Sequence, residues 1–372
     1  MASTTTATTT TPSTAAATAT AAPGNATQAG APSTRDHAAP LIRIEDLKVE
    51  YLSGRGPVRA VDGVSFDLRP GEVLGLAGES GSGKSTIAQA ILRILQPPAV
   101  ITGGSVLFGD QDVLSMRDEE LLAFRWRDVS MVFQSAMNAL NPVMTIGMQI
   151  VDVIMAHEDV SRSVAMARAR ELLEIVGIEA NRIDSYPHQL SGGMRQRAVI
   201  AIALALKPPL MIMDEPTTAL DVVVQKEILA QITELREQLG FSIIFITHDL
   251  SLLVEIADRI AIMYAGQIVE LAPARELFTN PLHPYTQGLM SSFPALTGPR
   301  VKLAGIPGSP PDLRTPPSGC RFHPRCSKRM DICPRVEPRL AEVQPEHWVS
   351  CHLFPESTPT LANARRAEGA SR

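Results

Sequence analysis

The glycine-rich segment Gly78–Ser85 constrains the fold of this chain more than any other. It fits the pattern G-x-x-x-x-G-K-[ST]. The short apolar run Val73–Ala77 precedes it, and Ser85–Leu95, which follows, has the pattern of a helix stopped by two prolines. A strand, this loop and a helix, in that order, direct backbone N–H groups and the positive helix end at an anion. The sequence therefore predicts a phosphate-binding loop.

Individual residues of the loop have distinct expected roles. Lys84 can reach the β- and γ-phosphates of a nucleotide, and the hydroxyl of Ser85 can ligate Mg²⁺, a cation that prefers oxygen. The residues expected to contact ATP here are Gly78, Glu79, Ser80, Gly81, Ser82, Gly83, Lys84, Ser85 and Thr86. The loop alone is compatible with kinases, GTPases, helicases and transporters.

Two acidic residues end the apolar run Leu210–Met213. Buried strands seldom end in adjacent carboxylates unless a cation or a polar substrate lies nearby, because an unpaired buried charge is costly. We expect Asp214 to hold Mg²⁺ and Glu215 to act as general base on the attacking water.

Two further strands end in polar side chains. His248 follows the run Ile243–Ile246, and Gln134 closes the run Val129–Phe133. Strands that alternate with helices imply a mainly parallel sheet with ligands at the carboxyl ends of its strands. His248 is therefore expected to contact the γ-phosphate, and Gln134 to sense Mg²⁺ or water.

The segment Leu190–Gln196 reads LSGGMRQ and opens a predicted helix, Met194–Leu206. It is a second potential anion site, and within one subunit it would be redundant. It makes sense if it faces a phosphate held by another subunit, so that ATP lies between two chains. The residues expected to serve the partner's ATP in this way are Ser191, Gly192, Gly193 and Gln196.

These motifs, in this order and spacing, resemble the nucleotide-binding domain of ABC ATPases over residues 41–280. The resemblance implies an α/β P-loop core with a mainly parallel sheet, an antiparallel β subdomain and a helical subdomain at about 135–190. It also implies that Tyr51 stacks on adenine and that Asp221, after Ala219 and Leu220, couples the two sites of a dimer. No expected catalytic residue is missing, so this chain's own site should be competent.

Several segments narrow the resemblance to the ATPases of oligopeptide, dipeptide and nickel importers. They are Ala139–Pro142, His283–Thr286, Gly305–Pro311 and the small Cys-rich extension, residues 281–355. This resemblance implies a second, distinct ATPase chain, two membrane-spanning permeases and an extracytoplasmic substrate-binding protein. The chain is then expected at the cytoplasmic face of the inner membrane as a peripheral subunit. Its cargo, a peptide, nickel or another small ligand, stays open.

All four cysteines lie in this extension, at Cys320, Cys326, Cys333 and Cys351. Disulfides are uncommon in the cytoplasm, and the spacings lack the short clip typical of zinc modules. Zinc, free thiols and a 4Fe–4S cluster remain possible from the residues. The family resemblance favours the cluster, as a structural staple.

Composition limits the remaining functions. A net charge of −5 argues against a chain whose main function is to bind nucleic acid. No apolar run reaches the roughly 18 residues that span a bilayer. Residues 1–40 lack a signal-peptide pattern, and they and residues 356–372 are expected to be disordered. The rival function is a soluble ABC ATPase acting on ribosomes or DNA. It is disfavoured because the chain has one cassette and only 107 positions from Lys84 to Ser191.

Overall fold

A computed structural model of the chain describes residues 39–134, 139–218, 220–291 and 305–359. Its strands are β1 (Ile42–Tyr51), β2 (Val58–Leu68), β3 (Val73–Ala77), β4 (Ala99–Phe108), β5 (Gln111–Asp112), β6 (Val129–Val132), β7 (Leu210–Asp214), β8 (Ser242–Ile246), β9 (Arg259–Tyr264), β10 (Gln267–Pro273), β11 (Ala341–Gln344) and β12 (His347–Val349). Its α-helices are α1 (Lys84–Ile91), α2 (Asp118–Arg127), α3 (Ile146–His157), α4 (Arg162–Ile175), α5 (Gly192–Ala203), α6 (Val222–Leu239), α7 (Leu250–Ile256), α8 (Ala274–Thr279) and α9 (Pro284–Ser291). Most of both predicted disordered tails, and Ala219, lie outside the described residues.

The larger sheet has the strand order β11-β12-β10-β9-β3-β8-β7-β6. The five strands from β9 to β6 are parallel, and the other three continue the sheet in antiparallel fashion. Every residue of β3, β7, β8 and β9 is buried, as expected for parallel strands covered on both faces. The predicted mainly parallel α/β core is confirmed.

The smaller sheet is antiparallel, in the order β2-β1-β4-β5. Ile42, Ile44, Leu47 and Val49 point from β1 into a core shared with α1. The side chains between them are exposed, except for the half-buried Lys48. Alternation of this kind is typical of a sheet with one buried face. This is the antiparallel β subdomain that the family resemblance implied.

Helices α3 and α4 pack on each other and on α5, in the stretch between β6 and β7. Hydroxyl side chains cap all three helices: Thr145, Ser161 and Ser191 accept N–H groups from the first turns. Helices α3 and α4 fall within the predicted segment 135–190, and α5 begins two residues after it. Residues 135–138 of that segment lie outside the described part of the chain.

Helix α1 ends at Ile91, four residues earlier than the predicted helix Ser85–Leu95. The reason is local. Arg93 has φ +50°, a left-handed conformation that cannot continue an α-helix. Its N–H group donates to the carbonyl of Ala90, which closes the helix.

The Cys-rich extension does not stand apart from the core, because β12 pairs with β10 and so adds two strands to the larger sheet. Packed structure also continues just past residue 355, since Ser357 is buried and its carbonyl accepts the N–H of Arg339. In the part of the chain that the structure describes, no helix is both long enough and apolar enough to cross a membrane.

Candidate functional site

The phosphate loop Gly78–Ser85 connects β3 to α1, as predicted. Glycine is required at two of its positions. Gly78 has φ +148°, and a Cβ atom there would lie 2.1 Å from the Met263 carbonyl oxygen. Gly83 has φ +104°, and a Cβ atom there would lie 2.2 Å from the Ala60 carbonyl oxygen. The loop is therefore pressed against the neighbouring backbone, and its shape depends on the absence of side chains there.

Lys84, the first residue of α1, turns its side chain back into the loop. Its Nζ donates to the carbonyl oxygens of Gly78 at 2.8 Å and Glu79 at 3.1 Å. Burial lowers the pKa of Lys84, and the carboxylates of Glu215, Asp214 and Glu79 act in the opposite direction. Lys84 thus places a positive charge inside the loop, where it can attract a phosphate.

Ser85 and Asp214, the two residues predicted to hold Mg²⁺ together, are in contact. The Ser85 hydroxyl donates to Asp214 Oδ1 at 3.0 Å, across 129 positions of sequence. Burial raises the pKa of Asp214, and Glu215 adds to this, while Ser85 and Lys84 oppose it. A hydroxyl beside a poorly solvated carboxylate fits the oxygen-ligand chemistry of Mg²⁺.

The carboxylate of Glu215 is the meeting point of three strand ends. Gln134, after β6, donates its Nε2 to Glu215 Oε2 at 3.0 Å, and His248 Nδ1, after β8, lies 3.3 Å from Oε1. Thr218 also donates to Oε2, at 2.9 Å. Glu215 has φ +46°, and its N–H donates to the carbonyl of Ile246. The structure thus brings all three predicted catalytic residues together.

Thr218 was missed at the sequence level. Its position three residues after Glu215 was the available signal, because a tight turn places such a side chain beside the earlier one. The N–H of Thr218 donates to the Glu215 carbonyl at 3.4 Å, which shows that turn.

Tyr51 ends β1 beside the phosphate-loop helix. Its hydroxyl lies 3.4 Å from the Thr86 hydroxyl, and the side chain is partly exposed. The ring is thus placed near the loop that would hold a nucleotide's phosphates.

The segment 190–196 opens α5, and Ser191 caps that helix by accepting the Met194 N–H at 3.3 Å. Among the described residues, no hydrogen bond or ion pair joins it to residues 78–86. Gln196 is buried, and its Nε2 has no hydrogen-bond partner within the described part of the chain.

Asp221 caps α6 by accepting the N–H groups of Val223 and Val224. The side chains of Val222 and Val223 are two-thirds exposed.

The four cysteines lie near one another in the extension. The Cys320 N–H donates to the Cys333 carbonyl at 2.8 Å. Burial raises the pKa of Cys320 to about 12 and that of Cys351 to about 11, and negative charge on neighbouring thiols adds to both shifts. Across the described ranges, however, no three His, Cys, Asp or Glu side chains are grouped so that they could hold a metal ion.

Two histidines flank the cysteines, and they differ in how many of their ring nitrogens are engaged. His352 contacts the Thr358 hydroxyl through Nδ1 at 3.0 Å and the Val336 carbonyl through Nε2 at 2.8 Å. His323 Nδ1 lies 2.9 Å from the Cys320 carbonyl oxygen. His352 is therefore not a candidate ligand, whereas the contact of His323 uses Nδ1 alone.

Residues 61–218 match the ABC transporter family, and residues 269–333 match the oligopeptide/dipeptide transporter C-terminal region. The chain is 44% identical to the dipeptide transport ATP-binding protein DppD of Caldanaerobacter subterraneus subsp. tengcongensis, over 86% of this chain and 98% of that protein. It is 45% identical to the oligopeptide transport ATP-binding protein OppD of Bacillus subtilis, over 86% of this chain and 91% of the relative.

Solved structures agree with this similarity. The dimeric post-hydrolysis state of the ATP-binding cassette MJ0796, bound to ADP and Pi, superposes with a TM-score of 0.56 at 29% identity, over 63% of this chain and 99% of that one. CbiO1 from Clostridium perfringens, part of the transporter complex cbiONQ, has a TM-score of 0.57 at 26% identity, over 65% of this chain and 91% of that one.

Proposed function

The chain belongs to the family of ABC transporter ATP-binding proteins, and we propose that it hydrolyses ATP to power the import of dipeptides or oligopeptides. The observation that carries the proposal is the convergence of Gln134, Glu215 and His248 at the edge of the sheet next to the phosphate loop. The peptide cargo rests on the matched C-terminal region and on the names of the relatives.

In this function the loop holds the phosphates of ATP, Lys84 neutralises the β- and γ-phosphates, and Tyr51 stacks on adenine. Ser85, Asp214 and Gln134 are the proposed ligands of Mg²⁺. When bound, this ion supplies positive charge to the phosphate oxygens. The Ser85–Asp214 contact supports this assignment, since both groups offer oxygen atoms at one place.

Glu215 is the proposed general base, which accepts a proton from the attacking water. Gln134 and Thr218 hold one carboxylate oxygen, and the other faces His248, so the orientation of the carboxylate is fixed by three side chains. His248 is the proposed contact of the γ-phosphate, and the exposure of its ring supports this role.

ATP is shared between two subunits in this proposal. The N-terminus of α5, with Ser191, Gly192, Gly193 and Gln196, serves the phosphate held by the partner ATPase. Asp221 and the exposed valines after it lie at the coupling contact between the two sites. The dimeric state in the matched MJ0796 structures supports this arrangement.

The partners follow from the importer function: a second, distinct ATPase chain, two transmembrane permeases and an extracytoplasmic substrate-binding protein. The chain is a peripheral subunit at the cytoplasmic face of the membrane, held there by the permeases. The relatives named as peptide transport ATP-binding proteins support this assembly.

The cysteines Cys320, Cys326, Cys333 and Cys351 are the proposed ligands of a 4Fe–4S cluster. Thiolates are the usual ligands of such a cluster, and the four thiols lie near one another, Cys333 and Cys351 buried and Cys320 and Cys326 half-buried. The cluster would supply cross-links to a loop-rich segment. Iron and acid-labile sulfide at about four per chain in anaerobically purified protein would support it, and stoichiometric zinc without iron would refute it.

The importer function is tested by purifying the chain from its native cells with its partners. Recovery with integral membrane permeases, and ATP hydrolysis that rises when a peptide-loaded binding protein is added, are the expected results. If only a nickel-loaded binding protein stimulates ATP hydrolysis, the cargo is nickel and not a peptide. Recovery with ribosomes or DNA instead would overturn the proposal.

A further inference from the structure

Residues from the C-terminal extension hold Glu79, the second residue of the phosphate loop. Arg325 donates from its two terminal nitrogens to the Glu79 carboxylate, at 2.8 and 3.0 Å, and Tyr285 Oη accepts the Glu79 N–H at 3.0 Å. The Glu79 carbonyl accepts from Lys84 Nζ at 3.1 Å. Every polar group of Glu79 is therefore engaged, two of them by residues more than 200 positions away.

Arg325 is itself held by several contacts. Only 7% of its side chain is exposed, and its Nε donates to the Pro307 carbonyl at 2.8 Å. Its guanidinium lies 5.7 Å from the centre of the Tyr264 ring. A planar guanidinium that binds both oxygens of one carboxylate fixes that carboxylate in direction as well as in distance.

Tyr285 comes from a fully buried aromatic cluster beneath the loop. Its ring lies 4.6 Å from that of Tyr264 and 5.4 Å from that of Phe322, centre to centre. Phe322 belongs to the same extension segment, Cys320–Cys326, as Arg325. The extension thus contacts the phosphate loop through Arg325 and through the aromatic cluster that contains Tyr285.

Charge gives this support a functional consequence. Glu79 carries a negative charge in a loop built to receive phosphates, and a free carboxylate there would repel them. Arg325 neutralises that charge and directs the carboxylate away from any other partner. The contact of Lys84 with the Glu79 carbonyl places the same residue next to the principal phosphate-binding side chain.

We propose that Arg325 is a positioning residue for ATP binding: it acts through Glu79 to hold the phosphate loop in its binding shape. The Cys320–Cys326 segment is then a support of the nucleotide site, in addition to any role of its thiols. This inference rests on the proposed function, because it takes residues 78–85 to be the ATP-binding loop.

The test measures the Kd for Mg-ATP with the full-length chain and its R325M variant. Loss of a charged hydrogen-bonded pair should weaken binding by about tenfold. The R325K variant keeps the charge with one donor group and should recover part of the affinity. The double variant E79Q/R325M should bind ATP as tightly as E79Q alone, because without the Glu79 charge Arg325 has nothing to neutralise.

Arg321 offers a matched control. It lies in the same segment, its side chain is also 7% exposed, and it bonds to Asp62 and to the Ala265 carbonyl instead of the loop. The R321M variant should keep its Kd within about twofold of the unmodified chain. Thermal unfolding of each variant shows whether it is folded. If R325M does not fold, the Kd values of R325K and E79Q are compared with that of the unmodified chain instead.

Three outcomes would overturn the inference: unchanged affinity in R325M, an equal loss in R321M, or independent, additive effects of E79Q and R325M. The K84A variant separates this failure from failure of the proposed function. It should lose ATP binding, and if it binds ATP as the unmodified chain does, the assignment of the loop itself is wrong.

Discussion

The side chain of Gln134 donates to Glu215 Oε2 at 3.0 Å, although 81 positions of sequence separate the two residues. The contact exists because β6 and β7 are parallel neighbours that end side by side. With His248 3.3 Å from the other oxygen, the carboxylate is held from both sides.

Replacement of Glu215 by glutamine should stop turnover without preventing ATP binding. Glutamine keeps the shape and can still accept hydrogen bonds from Gln134 and Thr218, but it cannot take a proton from water. We expect hydrolysis by the assembled transporter to fall at least about 100-fold, with the Kd for ATP within about threefold. T218V, which removes one contact to the same carboxylate, should lower the rate of hydrolysis by less than about tenfold. Near-normal hydrolysis in E215Q would exclude Glu215 as the base.

Replacement of Ser85 by alanine should make ATP binding less dependent on magnesium. The Ser85 hydroxyl faces Asp214 and is the proposed Mg²⁺ ligand on the loop. We expect the affinity for ATP with Mg²⁺ to fall about tenfold, because an oxygen ligand is lost. Titrations of the same variant in EDTA are the control, and there its affinity should match that of the unmodified chain. An equal loss in both conditions would assign Ser85 to the phosphates alone.

Much of the site was predictable from sequence because its residues follow local apolar runs. Asp214 is the last residue of β7, and Gln134 and His248 each lie two residues after a short strand. Parallel strands end at one edge of a sheet. Their proximity therefore follows from the positions of the short apolar runs and from the common edge at which parallel strands end.

Other features depend on contacts between distant segments, and local pattern does not report them. The N–H of Glu79 is bound by Tyr285, 206 positions later, and nothing in either segment indicates this pairing. Strand β12 has three residues, too few for an alternation to be seen, so its addition to β10 was not predicted. Strand β4 was also missed, because Gly103 and Gly104 interrupt its pattern.

Replacement of Gly83 by alanine should destabilise the chain more than the same change at Gly56. Both glycines have nearly the same φ, +104° and +106°, so an alanine meets a similar restriction on φ at the two positions. A Cβ at Gly83 would lie 2.2 Å from the Ala60 carbonyl oxygen, whereas nothing lies within 4 Å at Gly56. Urea denaturation should show G83A at least about 2 kcal/mol less stable than G56A. Equal losses would mean that the loop can move away from Ala60.

Replacement of His283 by asparagine should make stability less sensitive to acid. His283 is fully buried, and burial lowers its pKa from 6.5 to about 4, against the opposing effect of Glu270. Because the folded-state pKa is the lower one, the unfolded chain takes up a proton first as the pH falls. Stability from neutral His283 is therefore present above pH 6.5 and is lost towards pH 4.

Between pH 7 and pH 5 this loss amounts to about 2 kcal/mol. Asparagine can still accept the Tyr285 N–H that His283 Nδ1 accepts at 3.0 Å, but it does not titrate. Urea denaturation at both pH values should thus show the unmodified chain losing about 2 kcal/mol more than H283N. H188N, which changes an exposed histidine, controls for the substitution itself. If H283N loses as much stability as the unmodified chain, His283 is not the group that titrates.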